Sequence, residues 1–239
     1  KPEEILRDSK IAPPIVKLAR ALKLPKIALS VRELRKEVSV VRTQGKDEAA
    51  VKEKGQNKLL IETKNLSVKY LEFQALKPLN LRIAAGEIVA LMGRNGAGKS
   101  SLIKSLLGLI EYQGKVQKHL TSGTGRVGYI PQDANDLLFH QSVADECNQT
   151  DNDHKLEAGT TSKLLAEIAP GINASSHPRD LSEGQRLALV LAIVLAPNPE
   201  LLILDEPTRG LDYETKALLI SQLRTRASNG AAVLIATHD

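Results

Sequence analysis

The sequence predicts an α/β fold: a parallel sheet that carries a phosphate-binding loop at one strand end and a pair of acids at another. Three observations predict it. Gly93-Arg94-Asn95-Gly96-Ala97-Gly98-Lys99-Ser100 matches G-x-x-x-x-G-K-[ST], the P-loop. The apolar run Glu87–Met92 precedes it as a buried parallel strand, and the periodic run Ser101–Leu107 follows it as a helix. Leu201-Leu202-Ile203-Leu204 is a second buried run, and it ends in Asp205 and Glu206, at the strand edge where sites in such sheets lie.

The chemistry follows from the residue types. Gly93, Gly96 and Gly98 let the backbone turn its N–H groups onto phosphates, with Asn95 and Ala97 inside the same loop. The helix N-terminus at Ser100 and Ser101 adds partial positive charge. Lys99 reaches β- and γ-phosphates, and the Ser100 hydroxyl can ligate Mg²⁺. Asp205 fits the same Mg²⁺ shell. Glu206 fits the polarising of a water for in-line attack.

Composition bounds the rest. The chain has 239 residues, 42% hydrophobic and 26% charged, enough for one good core plus an appendage. A single cysteine, Cys147, excludes a disulfide framework or a cysteine metal cluster and points to a reducing compartment. The longest apolar runs are too short to span a bilayer, and the N-terminus lacks the apolar core of a signal peptide. Residues 1–58 hold 15 Lys/Arg against 8 Asp/Glu, a balance of +7; the remainder holds 18 against 20, a balance of −2. The basic balance reads as a solvated tail. The six Phe and Tyr are scattered and form no stacking platform for nucleic acid.

In chain order, residues 1–42 predict three short amphipathic helices, opened by Pro2, by Pro13-Pro14, and by the capping box Ser30…Glu33. Residues 43–58 are a polar linker. Leu59–Glu62, Leu66–Tyr70 and Leu79–Ile83 predict short antiparallel strands. Tyr70 either stacks on a base or is an ordinary strand aromatic, with Phe73 as the fallback. Lys115-Val116 and Val127–Ile130 predict strands, with a turn at Gly123–Gly125. Gln132 follows the second of these and can reach Mg²⁺ and a water through its amide oxygen. Ser142–Cys147 and Ser162–Ala169 predict short helices. The acids between Asp133 and Asp153, with His154, match no metal-ligand spacing.

Leu181-Ser182-Glu183-Gly184-Gln185 opens the apolar segment Arg186–Ala196, with Ser182 as N-cap and Gly184 leaving N–H groups open at a helix N-terminus. That is a second phosphate site, out of reach of the chain's own loop if the two lie at opposite ends. Glu214–Arg224 predicts an amphipathic helix, and Ala231–Ala236 a buried strand that ends beside His238.

The ordered set of Tyr70, GRNGAGKS at 93–100, Gln132, LSEGQ at 181–185, LLILDE at 201–206, Asp212 and His238 resembles the ATP-binding-cassette (ABC) ATPases over roughly residues 59–239. The resemblance implies a P-loop NTPase with a RecA-like parallel sheet, an antiparallel β subdomain, and a helical subdomain around 133–195. It implies ATP and Mg²⁺ as cofactors: Ser100, Gln132 and Asp205 on the metal, Lys99, Gln132, Glu206 and His238 in catalysis, and Tyr70 on the adenine. It implies a head-to-tail dimer, with Ser182, Gly184 and Gln185 facing the partner's nucleotide and Asp212 crossing the interface. Glu183 stands where the common signature has Gly; a carboxylate near a γ-phosphate is unfavourable, so its side chain is expected to turn away.

Pro2–Leu6 with Ala12-Pro13-Pro14, RDLSEGQRLALVLA and LDEPTRGLDYETK look like the double-cassette ATPases of energy-coupling-factor importers, which energise uptake of vitamins, their precursors or metal ions. Residues 1–42 are then the tail of a first cassette, 43–58 a linker, and 59–239 the second cassette without its usual final elements. Integral membrane subunits would be its partners, at the cytoplasmic face of the membrane. The alternative is a soluble cassette ATPase acting on ribosomes or nucleic acid. Its DNA-repair form needs a coiled coil that the 80 residues from Ser101 to Asp180, lacking heptads, do not supply. A regulatory clamp that barely hydrolyses is disfavoured by Glu206, Gln132 and His238.

Overall fold

The computed structural model describes residues 57–121, 127–208, 211 and 213–237, together with Val16, Arg20 and Glu33, which are helical. The other N-terminal helix expectations, the turn at 123–125, Asp212 and His238 lie outside the described residues. The chain divides into two compact units, Lys1–Gly55 and Gln56–Asp239.

In the larger unit the first elements are antiparallel. β1 (Leu59–Tyr70) pairs with β2 (Phe73–Ala84) and, on its other side, with β4 (Gln113–Lys118), giving the order β2-β1-β4. Three short strands were expected here; the first two are one 12-residue strand and the third is part of another. Asn65, at φ 48°, lies within a register shift that breaks the period-two pattern without ending the strand. Each irregularity swaps the buried face, so one strand reads as two segments.

The second sheet is parallel, in the order β3-β7-β6-β5, from β3 (Ile88–Met92), β5 (Val127–Ile130), β6 (Leu201–Asp205) and β7 (Ala232–Thr237). β6 is buried at every residue because it is central and covered on both faces. Leu201 and Ile203 face the antiparallel sheet and α1 (Lys99–Leu107), packing with Leu60, Ile83, Leu102 and Leu106. Leu202 and Leu204 face the opposite cluster. That cluster is built from α2 (Val143–His154), α3 (Thr160–Ile168), α4 (Glu183–Leu195) and α5 (Tyr213–Ser228). The expected burial of the strand before the P-loop is corrected: Ile88 is 45% and Met92 66% exposed. β3 sits at the edge of the sheet, with β7 as its one strand neighbour among the described residues, so alternate residues face water.

Several of the acids at 133–154 hold local structure. Asp133 accepts from the Asn135 N–H, and Ser142, the N-cap of α2, accepts from the Asp145 N–H. Buried Asp151 accepts from the Gly159 and Thr161 N–H groups and from the Thr161 hydroxyl, closing the α2–α3 corner. Buried Glu146 accepts from the Phe139 and His140 N–H groups. Among the described residues no three His, Cys, Asp or Glu are grouped to hold a metal ion, and no helix is long and apolar enough to cross a membrane.

Candidate functional site

All four parallel strands run their C-terminal ends to one edge. β3 ends at Met92 and enters the phosphate loop, β5 ends just before Pro131-Gln132, β6 ends at Asp205, and β7 ends at Thr237. This gathers Gln132, Asp205 and Glu206 beside the loop, as parallel topology requires.

The loop itself is shaped by Gly98. At φ 90° it caps α1 in the left-handed region, and a Cβ there would lie 2.4 Å from the Ala75 carbonyl oxygen. Only glycine allows both. No side chain caps α1 and no acid sits in its first turn, so the leading N–H groups and the positive end of the helix dipole face the loop.

Lys99 is buried, and its Nζ donates to the Gly93 carbonyl oxygen at 2.8 Å. The same Nζ lies 3.4 Å from Glu206 Oε1, and Glu206 is buried too. Glu206 holds a left-handed backbone, φ 51°, fixed by its N–H donating to the Ala236 carbonyl oxygen at 2.9 Å. A bulky residue in that region stores about 1–2 kcal/mol of strain, characteristic of functional positions. Asp205 Oδ1 is buried and has no protein hydrogen-bond partner. Beside Ser100 and Gln132, such an oxygen fits a hard cation of the Mg²⁺ type, which takes few protein ligands and keeps several waters.

Two cavities share this floor. The first, about 600 Å³, is lined by Tyr70, Phe73 and Ala75, by 95–101 of the loop, and by Gln132, Asp205 and Glu206. The second, about 830 Å³, adds Lys104, Tyr129, 130–136, Glu183, Arg186, Leu187, Pro207 and Leu211 to Ser100, Gln132, Asp205 and Glu206. Burial, and then the nearby Asp205 and Asp136 charges, push the Tyr129 phenol above its ordinary value.

Of the expected site residues, the loop, Tyr70, Gln132, Asp205 and Glu206 converge. Ser182, Gly184 and Gln185 line neither cavity. Ser182 and Gln185 form a capping box at the start of α4: the Gln185 N–H donates to Ser182 Oγ, and the Ser182 N–H to Gln185 Oε1. Ser-x-x-Gln is visible in the sequence and could have shown this pairing. Gly184 is also a packing residue, since a Cβ there would stand 2.9 Å from Thr215 Oγ1. Glu183 is exposed and lines the larger cavity. Arg186 donates to the carbonyl oxygens of Pro178, Arg179 and Leu181 and ties down the signature's entry.

The profile of the ABC transporter family matches residues 76–209. This chain belongs to the ABC transporter family. ABC ATP-binding domains hydrolyse ATP, and the chain carries one. It is 49% identical over 187 residues to an ABC transporter ATP-binding protein of Streptomyces coelicolor, covering 74% of this chain and 33% of that protein. The chain thus spans about a third of that relative's length. It is 32% identical over 192 residues to the manganese transport system ATP-binding protein MntB of Halalkalibacterium halodurans, covering 75% of this chain and 77% of MntB. In structure it is similar to cbiO1 of Clostridium perfringens, part of the ABC transporter complex cbiONQ: TM-score 0.66, 27% identity, 77% of this chain and 80% of cbiO1 covered. Both expected sheets and the helices belong to this fold.

Proposed function

We propose that the chain is the ATP-driven motor of an importer for a small solute (a vitamin, a vitamin precursor or a metal ion), powered by closure of a head-to-tail pair of cassettes. The observation that carries this reading is the meeting of the phosphate loop with Gln132, Asp205 and Glu206 around one cavity. In the proposed pairing Ser182 and Gly184 would meet the nucleotide of a second cassette. The similarity to the manganese system supports a metal-ion cargo. The tail-like 1–42, the linker 43–58 and the cassette 59–239 support a second domain in the same full-length chain. Such a motor sits at the cytoplasmic face of the membrane, bound to integral subunits.

In the proposed cycle the loop N–H groups, with Asn95, Ala97 and Ser101 around them, cradle the phosphates, and Lys99 leaves Gly93 for the β- and γ-oxygens. Ser100, Gln132 and Asp205 would hold Mg²⁺, which when bound would supply positive charge against the phosphates. Glu206 takes the proton of the attacking water, and His238 contacts the γ-phosphate. Tyr70 holds the base. Ser182, Gly184 and Gln185 present the opposing helix N-terminus, and Asp212 crosses the interface. A pull-down of the full-length protein from detergent-solubilised membranes tests the transport reading. Integral membrane subunits are expected; recovery with ribosomes and no integral partner would defeat it.

A further inference from the structure

Residues 174–181, the approach to Ser182, are fastened at both ends. At the start, the Ala144 and Val143 N–H groups of α2 donate to the Ala174 and Ser176 carbonyl oxygens, at 2.9 and 3.0 Å. At the far end, the Arg186 guanidinium of α4 donates to the Pro178, Arg179 and Leu181 carbonyl oxygens. Between them lies the short turn Pro178–Asp180, capped by His177. His177 Nδ1 accepts from the Arg179 N–H at 3.0 Å. The Arg179 peptide is therefore held twice, its N–H by an imidazole and its carbonyl oxygen by Arg186.

An imidazole accepts at Nδ1 only while that nitrogen carries no proton. Imidazole side chains change charge between about pH 5 and 8. In the imidazolium, Nδ1 is a donor that faces a donor, and the bond is lost. The turn itself carries Arg179 and Asp180, and α4 brings Glu183 and Arg186. From α2, Asp145 is engaged with the Ser142 hydroxyl, and Glu146 with the Phe139 and His140 N–H groups. Asparagine caps such a turn as well and does not titrate.

We propose that His177 is a positioning residue for ATP hydrolysis: its neutral imidazole holds Ser182 and Gly184 in place, and its protonation slows turnover by loosening them. This rests on the reading of Ser182 and Gly184 as the half-site that meets a second cassette's nucleotide. Ser182 is the N-cap of α4 and follows Arg179 by three residues. A released Arg179 peptide loosens the entry to that cap. The phosphate loop joins β3 to α1 rather than this segment, so ADP affinity there is untouched.

The test is the ATPase kcat of the full-length protein from about pH 8 to about pH 5, with fluorescent ADP affinity measured alongside. Wild type is compared with His177→Asn, His177→Ala and Ser182→Ala. Other acid-sensitive groups cancel in the ratio of His177→Asn to wild-type kcat. That ratio is expected to be about 1 at the alkaline end and to rise about fivefold at the acid end. His177→Ala is expected to lose about fivefold in kcat at the alkaline end, with ADP affinity unchanged. A ratio that stays flat with pH overturns the proposal. So does wild-type kcat in His177→Ala at the alkaline end, or an ADP affinity that falls with its kcat. Unchanged kcat in Ser182→Ala would instead remove the half-site reading beneath it.

Discussion

Glu206→Gln is the perturbation that separates two roles of one carboxylate. Glu206 stands 3.4 Å from Lys99 Nζ, both side chains buried. At an effective dielectric of about 20 that contact is worth about 5 kcal/mol of Coulomb attraction, from which desolvation subtracts most. A triphosphate must draw Lys99 out of this pair. Glutamine keeps the shape and removes the competing charge. If 1–2 kcal/mol of the attraction survives desolvation, nucleotide binding tightens about five- to thirtyfold. Hydrolysis meanwhile loses its base and falls about 10²- to 10⁴-fold.

Two assays check this together. Steady-state phosphate release reads turnover. Fluorescent ADP titrated without Mg²⁺, at protein concentrations too low for pairing, reads affinity free of any trapped dimer. Slower turnover with tighter ADP is the expected pattern. Unchanged turnover refutes Glu206 as the base. Slower turnover with unchanged or weaker ADP binding refutes the competition for Lys99.

Lys99→Ala removes a charged phosphate partner and leaves Glu206 buried, so ATP affinity is expected to fall at least about tenfold. In thermal unfolding the double variant with Glu206→Gln should be more stable than Lys99→Ala alone, since it removes a buried carboxylate that has lost the lysine beside it. Gly184→Ala drives a Cβ to 2.9 Å from Thr215 Oγ1 and is expected to lower the melting temperature; adding Thr215→Ala should restore it. ATPase activity should stay low in the pair, and recovery would show that Gly184 matters only for packing. Glu200 is held below its ordinary carboxylate value, first by the Thr121 hydroxyl and then by the Thr121 N–H and Lys58. A depressed folded value stabilises above 4.5 and is lost as pH falls through the lower folded value. Denaturant unfolding should therefore find Glu200→Gln less stable by under about 1 kcal/mol at pH 7, with the gap closing in acid.

Local order was legible; distance was not. The phosphate loop and the acids after β6 are continuous strings in which each residue's role depends on its immediate neighbours. Their place at one sheet edge followed from two apolar runs read as parallel strands, because parallel strands present the same end together. Asn65 hid β1, since a register shift changes which residues face inward and imitates a break. The exposure of β3 could not be read from Ile88–Met92, because an edge strand and a central one share the same apolar letters. The contacts of Lys99 with Glu206 and of Gly184 with Thr215 join residues 107 and 31 positions apart, so no periodicity carries them.

Those long-range contacts decide how the motifs act on one another. Gly184 serves α5 packing, so an alanine there reports folding before it reports phosphate binding. Lys99 pairs with Glu206, so on the proposed roles a phosphate that takes the lysine would also free the carboxylate. Binding and activation would then be the same movement of one side chain. Comparing water accessibility at Glu206 with and without ADP, by the rate at which a carbodiimide labels its carboxylate, reads that movement directly. Labelling should accelerate when ADP draws Lys99 away, and equal rates would mean that the two residues never exchange partners.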